Sequence, residues 1–128
     1  MTYHILVVDD IFVNRLLLTE ILKKIPATYA QADNGKKAIE LLSKEKFDAI
    51  FMDIEMPVMN GLETTRYIRE KLPSPINKIP IIALTAHNPQ NFFSDFEDAG
   101  FDELITKPYS IEKIARVVES ICNLTKSI

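Results

Sequence analysis

Five short apolar runs alternate with five amphipathic stretches along these 128 residues, and that alternation restricts the chain to repeated βα units around a parallel sheet. The runs are Ile5 to Val8, Tyr29 to Ala32, Ala49 to Met52, Ile79 to Leu84 and Glu103 to Thr106. Between them, Leu18, Ile21, Leu22 and Ile25 recur at i, i+3, i+4 and i+7, as do Ile114, Val117, Val118 and Ile121. Both stretches therefore predict helices that bury one face. Ala38, Leu41 and Leu42 predict a shorter helix after Asn34 and Gly35, and Leu62, Thr65 and Ile68 predict another after Asn60 and Gly61. A fourth helix is expected over Gln90 to Ala99, closed by Gly100, since glycine best tolerates the left-handed conformation that ends a helix. A hydrophobic content of 47% fills one core, and residues 1–128 leave no room for a second domain.

Several chemistries are excluded by what the chain lacks. Its three glycines are all accounted for as helix boundaries or turns, so no Gly-x-Gly-x-x-Gly or Gly-Lys-Ser/Thr pattern remains to cradle a nucleotide phosphate. His4 and His87 are isolated, no Cys/His pairing marks a structural zinc site, and there is no twelve-residue calcium loop. Net charge is -3 and no basic run exceeds Lys23-Lys24 or Lys36-Lys37, which argues against a nucleic-acid surface. No apolar stretch approaches the ~20 residues of a membrane span, and the four aliphatics before Asp9 are too few for a signal-peptide core. Cys122 stands alone, so no intrachain disulfide can form, and a reducing, cytoplasmic setting is expected.

The chemistry concentrates where apolar runs stop. Ile5 to Val8 ends on Asp9 and Asp10, and Ala49 to Met52 ends on Asp53, which Met56-Pro57 and Asn60-Gly61 surround with an ordered loop. Packing alone does not end a buried strand on an acid. Thr85 closes the fourth run and Lys107, before Pro108, closes the fifth. Each has an ordinary reading as well: adjacent acids cap turns, threonine suits strands, and lysine is solvated at turns. All of them, however, fall at the C-terminal ends of predicted parallel strands, the edge where ligands bind in open α/β sheets. The separations of 43, 32 and 22 positions from Asp10 to Asp53, Thr85 and Lys107 in turn fit two, one and one βα units of ~30 residues or somewhat fewer. Three neighbouring carboxylates repel unless a cation sits among them, so a divalent metal site is expected. With a hydroxyl and an ammonium added, the pocket would hold Mg²⁺ together with a phosphoryl group.

Asp9 and Asp10, Asp53 followed by Met56-Pro57 and Gly61, Thr85-Ala86 and Lys107-Pro108 resemble, in this order, the receiver domain of two-component response regulators. The segment from Met52 to Gly61 is similar to receivers attached to hybrid sensor kinases. The resemblance implies a single doubly wound, flavodoxin-like α/β fold: a five-stranded parallel sheet in the order 2-1-3-4-5 with five helices. It also implies phosphorylation of Asp53 by a histidine kinase or histidine phosphotransfer protein, with Mg²⁺ as the ion. Asp10 and Asp53 would bind Mg²⁺ through carboxylates, Asp9 through water and Glu55 through its backbone carbonyl. Thr85 would be the switch hydroxyl, and Lys107, aimed by a cis bond to Pro108, would contact the phosphoryl group. Two positions depart from the family pattern: Leu104 stands where many members carry Tyr or Phe, and Ile11 follows the acid pair where a polar residue is common.

A haloacid-dehalogenase-like phosphatase also uses a strand-end Asp, Mg²⁺, a hydroxyl and a lysine, but needs a second Asp two residues after the first. Glu55 occupies that position here, followed by Met56, and the acid pair comes first in the chain rather than late. No DNA-binding or enzymatic output segment is expected after the fifth helix, and Met1 favours the expectation of a free-standing regulator, with a module cut from a hybrid kinase as the alternative. Output is expected through contact of helix 4, strand 5 and helix 5 with a downstream protein. Phe92 and Phe96 pack at i, i+4, which leaves Phe93 for that contact.

Overall fold

The computed structural model describes residues 3–54, 60–85, 100–107 and 109–126. Its strands are β1 (Tyr3–Val8), β2 (Ala27–Ala32), β3 (Ala49–Asp53), β4 (Ile81–Thr85) and β5 (Glu103–Thr106), all parallel and ordered β2-β1-β3-β4-β5. The expected doubly wound topology is therefore the observed one. β3 and β4 are buried along their whole length, whereas β2 and β5, at the edges, are buried at only one position each. Continuous apolar runs belong to strands covered on both faces, so the sequence places β1, β3 and β4 in the middle.

Because successive strand side chains point to opposite faces, each central strand feeds two cores. Ile5, Val7, Phe51, Ile82 and Leu84 pack beneath α1 (Phe12–Leu22) and the last helix, α4 (Ile111–Lys126), through Leu18, Ile21, Leu22, Ile114 and Val118. Leu6, Val8, Ile50, Met52 and Ile81 pack on the other face against Ala38 and Leu42 of α2 (Gly35–Lys44) and Ile68 of α3 (Gly61–Lys71). Asparagine starts both of these latter helices: Asn34 accepts the Lys37 amide at 2.9 Å and Asn60 the Glu63 amide at 2.8 Å.

Two of the boundaries that differ from the expectation lie beside prolines. The helical period of α1 runs to Ile25 in sequence, but the helix stops at Leu22 because Pro26 disfavours helical geometry at the residue before it. The fourth strand begins at Ile81 rather than Ile79, because Ile79 closes a 3₁₀ turn (Ile76–Lys78) and Pro80 has no N–H to give to the ladder. Four α-helices occur among the described residues; the predicted helix over Gln90 to Ala99, with Phe92, Phe93 and Phe96, lies outside them. Gly100, expected to close it, has φ +99°.

Arg69 fastens the edge of the sheet opposite the acids. Its guanidinium donates to the carbonyls of Gly100 at 2.7 Å, Asn77 at 2.9 Å and Ile79 at 2.7 Å, and to Asp102 Oδ2 at 3.0 Å. The same Asp102 oxygen accepts the Ile81 amide at 2.8 Å, so the end of α3 and the starts of β4 and β5 meet at a common node. Among the described residues, no helix is long and apolar enough to cross a membrane.

The two-faced core makes a sharp contrast testable on leucines. Leu6→Ala, fully buried, should lower unfolding free energy by about 2–5 kcal/mol in urea titrations, whereas Leu17→Ala, on the open side of α1, should cost less than about 1 kcal/mol.

Candidate functional site

Strand register builds the site. Val8 pairs with Met52, so the next residue on each strand, Asp9 and Asp53, emerge side by side where β1 and β3 end. Asp53 in turn pairs with Leu84, one residue before Thr85, and Thr85 pairs with Thr106, one residue before Lys107. The sheet therefore brings Asp9, Asp10, Asp53, Thr85 and Lys107 to one edge. Asp9, Asp53 and Thr85 are buried. Glu55 and Pro108 lie outside the described residues, and with them the expected backbone ligand and the bond that would aim Lys107.

Carboxylate oxygens of Asp9, Asp10 and Asp53 lie within 4.8 Å of one another. Two carboxylate charges about 5 Å apart repel by roughly 3 kcal/mol at an effective dielectric of ~20, and this cluster contains three such pairs. Lys107 Nζ relieves part of that, at 3.7 Å from Asp53 Oδ1 and 3.9 Å from Asp9 Oδ2. One cation facing three anions leaves a deficit. The donors are all carboxylate oxygens, the set that a hard divalent cation prefers, and Asp10 Oδ1 is shielded from solvent without a hydrogen-bond partner among the described residues. An oxygen in that condition is suited to ligate a metal, so the residues present fit Mg²⁺.

Backbone contacts fix the acids in place. Asp9 Oδ1 accepts the Ile11 amide at 2.9 Å, its own amide donates to the Ala32 carbonyl at 3.1 Å, and its carbonyl accepts from Arg15 at 2.7 Å. The turn-capping role of an Asp before a helix is thus real, and it leaves Oδ2 directed at Lys107. The Lys107 amide donates to the Thr85 carbonyl at 2.8 Å, tying the ammonium-bearing residue to the hydroxyl-bearing one. Gly61 matters for more than turning the chain: a Cβ there would lie 2.5 Å from the Asp53 carbonyl oxygen and 2.7 Å from Ile54 Cα. Only glycine lets α3 begin against the backbone of the candidate phosphoacceptor.

Sequence reasoning missed three residues or surfaces of the site. Arg15, besides holding the Asp9 carbonyl, lies 5.7 Å from the Phe12 ring centre. The apolar residues of α1 form not one stripe but two, since Phe12, Val13, Leu16 and Leu17 remain 46–67% exposed beside the acid pair. Tyr109 has its hydroxyl shielded and no hydrogen-bond partner among the described residues. Its phenol pKa is raised, first by burial and then by the negative charges of Asp9 and Asp53. The signal for Tyr109 was only its place two residues after Lys107.

Residues 5–119 match the family model described as the response regulator receiver domain. This chain belongs to that family. Over 119 residues, 90% of its length, it is 37% identical to the sensor histidine kinase GacS of Pseudomonas protegens. It spans 13% of that kinase and as little as 5% of another histidine kinase that it matches. Its fold is similar to the receiver domain of a sensor histidine kinase from Pseudomonas aeruginosa, solved with magnesium in the active site cleft (TM-score 0.86, 28% identity, 96% of this chain and 99% of that one). It is equally similar to the receiver of Ssk1 from Saccharomyces cerevisiae, solved with the histidine phosphotransfer protein Ypd1 (TM-score 0.86, 26% identity, 97% and 91% of the two chains). The chain is thus a receiver domain of two-component and phosphorelay signalling.

The close approach at Gly61 generates a test within this receiver. Gly61→Ala should destabilise the fold by about 1–3 kcal/mol, the scale of overpacking, and move the Asp53 and Ile54 amide resonances in NMR spectra; a silent substitution would contradict the contact.

Proposed function

We propose that Asp53 accepts a phosphoryl group from the phosphohistidine of a histidine kinase or histidine phosphotransfer protein. The observation that carries this reading is the meeting of three carboxylates and the Lys107 ammonium at the C-terminal edge of the central strands. An Asp53 carboxylate oxygen attacks phosphorus while the P–N bond to the donor imidazole breaks. The electron pair of that bond returns to the imidazole nitrogen, and an acyl phosphate remains on Asp53. Transfer of this kind depends on positioning and on stabilising charge spread over the phosphoryl oxygens. Lys107 turns from the carboxylates to one phosphoryl oxygen, and the Thr85 hydroxyl donates to another. Asp10 and Asp53 through their carboxylates, Asp9 through water and the Glu55 backbone carbonyl would hold Mg²⁺, which when bound would offset negative charge on the phosphoryl oxygens. The receiver acts on itself: its only substrate residue is its own Asp53.

The phosphodonor docks on α1. Phe12, Val13, Leu16 and Leu17 present an apolar face directly after Asp9 and Asp10, and a histidine-bearing phosphotransfer domain seated there brings its imidazole to Asp53. The complex of the Ssk1 receiver with Ypd1 supports a partner of this kind. Output leaves through the predicted fourth helix, β5 and α4, where Leu104 on β5 replaces the aromatic of the usual switch. We read residues 1–128 as one receiver unit acting in a cytoplasmic setting, and the similarity to GacS also fits a module of a hybrid kinase.

Incubation with acetyl phosphate and Mg²⁺ should add one phosphoryl mass to the wild-type chain by intact-mass spectrometry, and none to Asp53→Asn. Labelling of Asp53→Asn at the wild-type rate would overturn the assignment.

A further inference from the structure

Tyr109 is packed against the core below the edge that carries the acids, and the charges of Asp9 and Asp53 reach its phenol. It stands two residues beyond Lys107 and two before α4, and its ring packs against the core shared by α1 and α4. Its hydroxyl is shielded from solvent and has no hydrogen-bond partner among the described residues. A buried donor with no acceptor is destabilising, and phenylalanine would fill the same space without that cost.

We propose that Tyr109 is a positioning residue of the phosphoacceptor pocket, its hydroxyl donating to Asp9 Oδ2 once the pocket holds a cation and a phosphoryl group. This rests on the phosphoacceptor reading given above. Asp9 Oδ1 already takes the Ile11 amide at 2.9 Å, while Oδ2 has Lys107 Nζ at 3.9 Å, an ion-pair distance too long for a hydrogen bond. When Lys107 turns toward a phosphoryl oxygen, Oδ2 loses that neighbour, and with two lone pairs it can accept the phenol even while a metal-bound water donates to it. The Asp53 carboxylate is then consumed by the acyl phosphate, so Asp9 is the better acceptor of the two acids near Tyr109. The phenol is a neutral donor throughout the physiological range, because burial and both carboxylates favour its protonated form. Its ring touches the core beneath α1, so the new hydrogen bond transmits occupancy of the pocket to the helix that seats the phosphodonor.

The test compares wild type with Tyr109→Phe in the full chain, using Mg²⁺ and beryllium fluoride as a phosphoryl mimic. Without these, Tyr109→Phe should melt at or above the wild-type temperature, because an unsatisfied hydroxyl has been removed. With both present the order should reverse, and the affinity for beryllium fluoride should fall about tenfold, the loss expected for one hydrogen bond to a charged group. The ring ¹³Cζ resonance of Tyr109 should shift on loading in wild type. Equal affinity in the two proteins, or the same change in melting temperature in both states, would overturn the role of Tyr109. A wild type that takes up no beryllium fluoride would overturn the phosphoacceptor reading, and this role with it.

Discussion

Mutual repulsion of Asp9, Asp10 and Asp53 is the constraint on which the rest of the structure depends. Three carboxylates have oxygens within 4.8 Å of one another because the register of β1 and β3 brings the ends of those strands together. The apolar cores on both faces offset that repulsion, since each fully buried Leu, Ile or Phe contributes about 1.5–3 kcal/mol. Lys107 then compensates part of the charge and the remainder calls for a cation. The same edge is thus strained in isolation and receptive to ligands, a combination that packing alone would never favour.

Much of this was legible because the two kinds of signal are local. Apolar runs of four to six residues identify the strands, and the residue that ends each run is the residue the sheet delivers to its edge. Asp9, Asp10, Asp53, Thr85 and Lys107 could therefore be located before any coordinates, and the structure places them at one edge. The strand order was legible only through the family resemblance, because periodicity says which residues are buried but not which strands are neighbours. What local patterns did not show were contacts between distant segments. Gly61 reads as a turn residue until the Asp53 carbonyl is seen against it, and Tyr109 reads as core until its hydroxyl is found without a partner. A helix end at Pro26 and a strand start at Pro80 were misjudged, since the apolar pattern extends past the point at which regular backbone hydrogen bonding stops.

The face of α1 shows how one helix serves two purposes. Leu18, Ile21 and Leu22 bury against the sheet, while Phe12, Val13, Leu16 and Leu17 stay open to solvent beside the acids. An apolar surface of that kind is unfavourable in water unless a partner covers it. Its position next to Asp10, rather than its size, is what would link it to the proposed phosphoryl transfer. Charge would attract the phosphoryl group and its ion to the pocket, apolar contact would choose the protein that carries it, and the two selections act a few residues apart.

The central claim, that this carboxylate cluster is built to hold a divalent cation, is tested most directly by thermal melting with and without Mg²⁺ in wild type and Asp10→Ala. A cation at ten times its Kd stabilises the protein that binds it by about 1.4 kcal/mol, a shift of a few degrees for a domain of this size. Wild type should show that shift. Asp10→Ala should melt at or above wild type in the absence of metal, because one repelling charge is gone, and should gain nothing from Mg²⁺. A wild-type melting temperature that ignores millimolar Mg²⁺, or an equal rise in Asp10→Ala, would contradict the account.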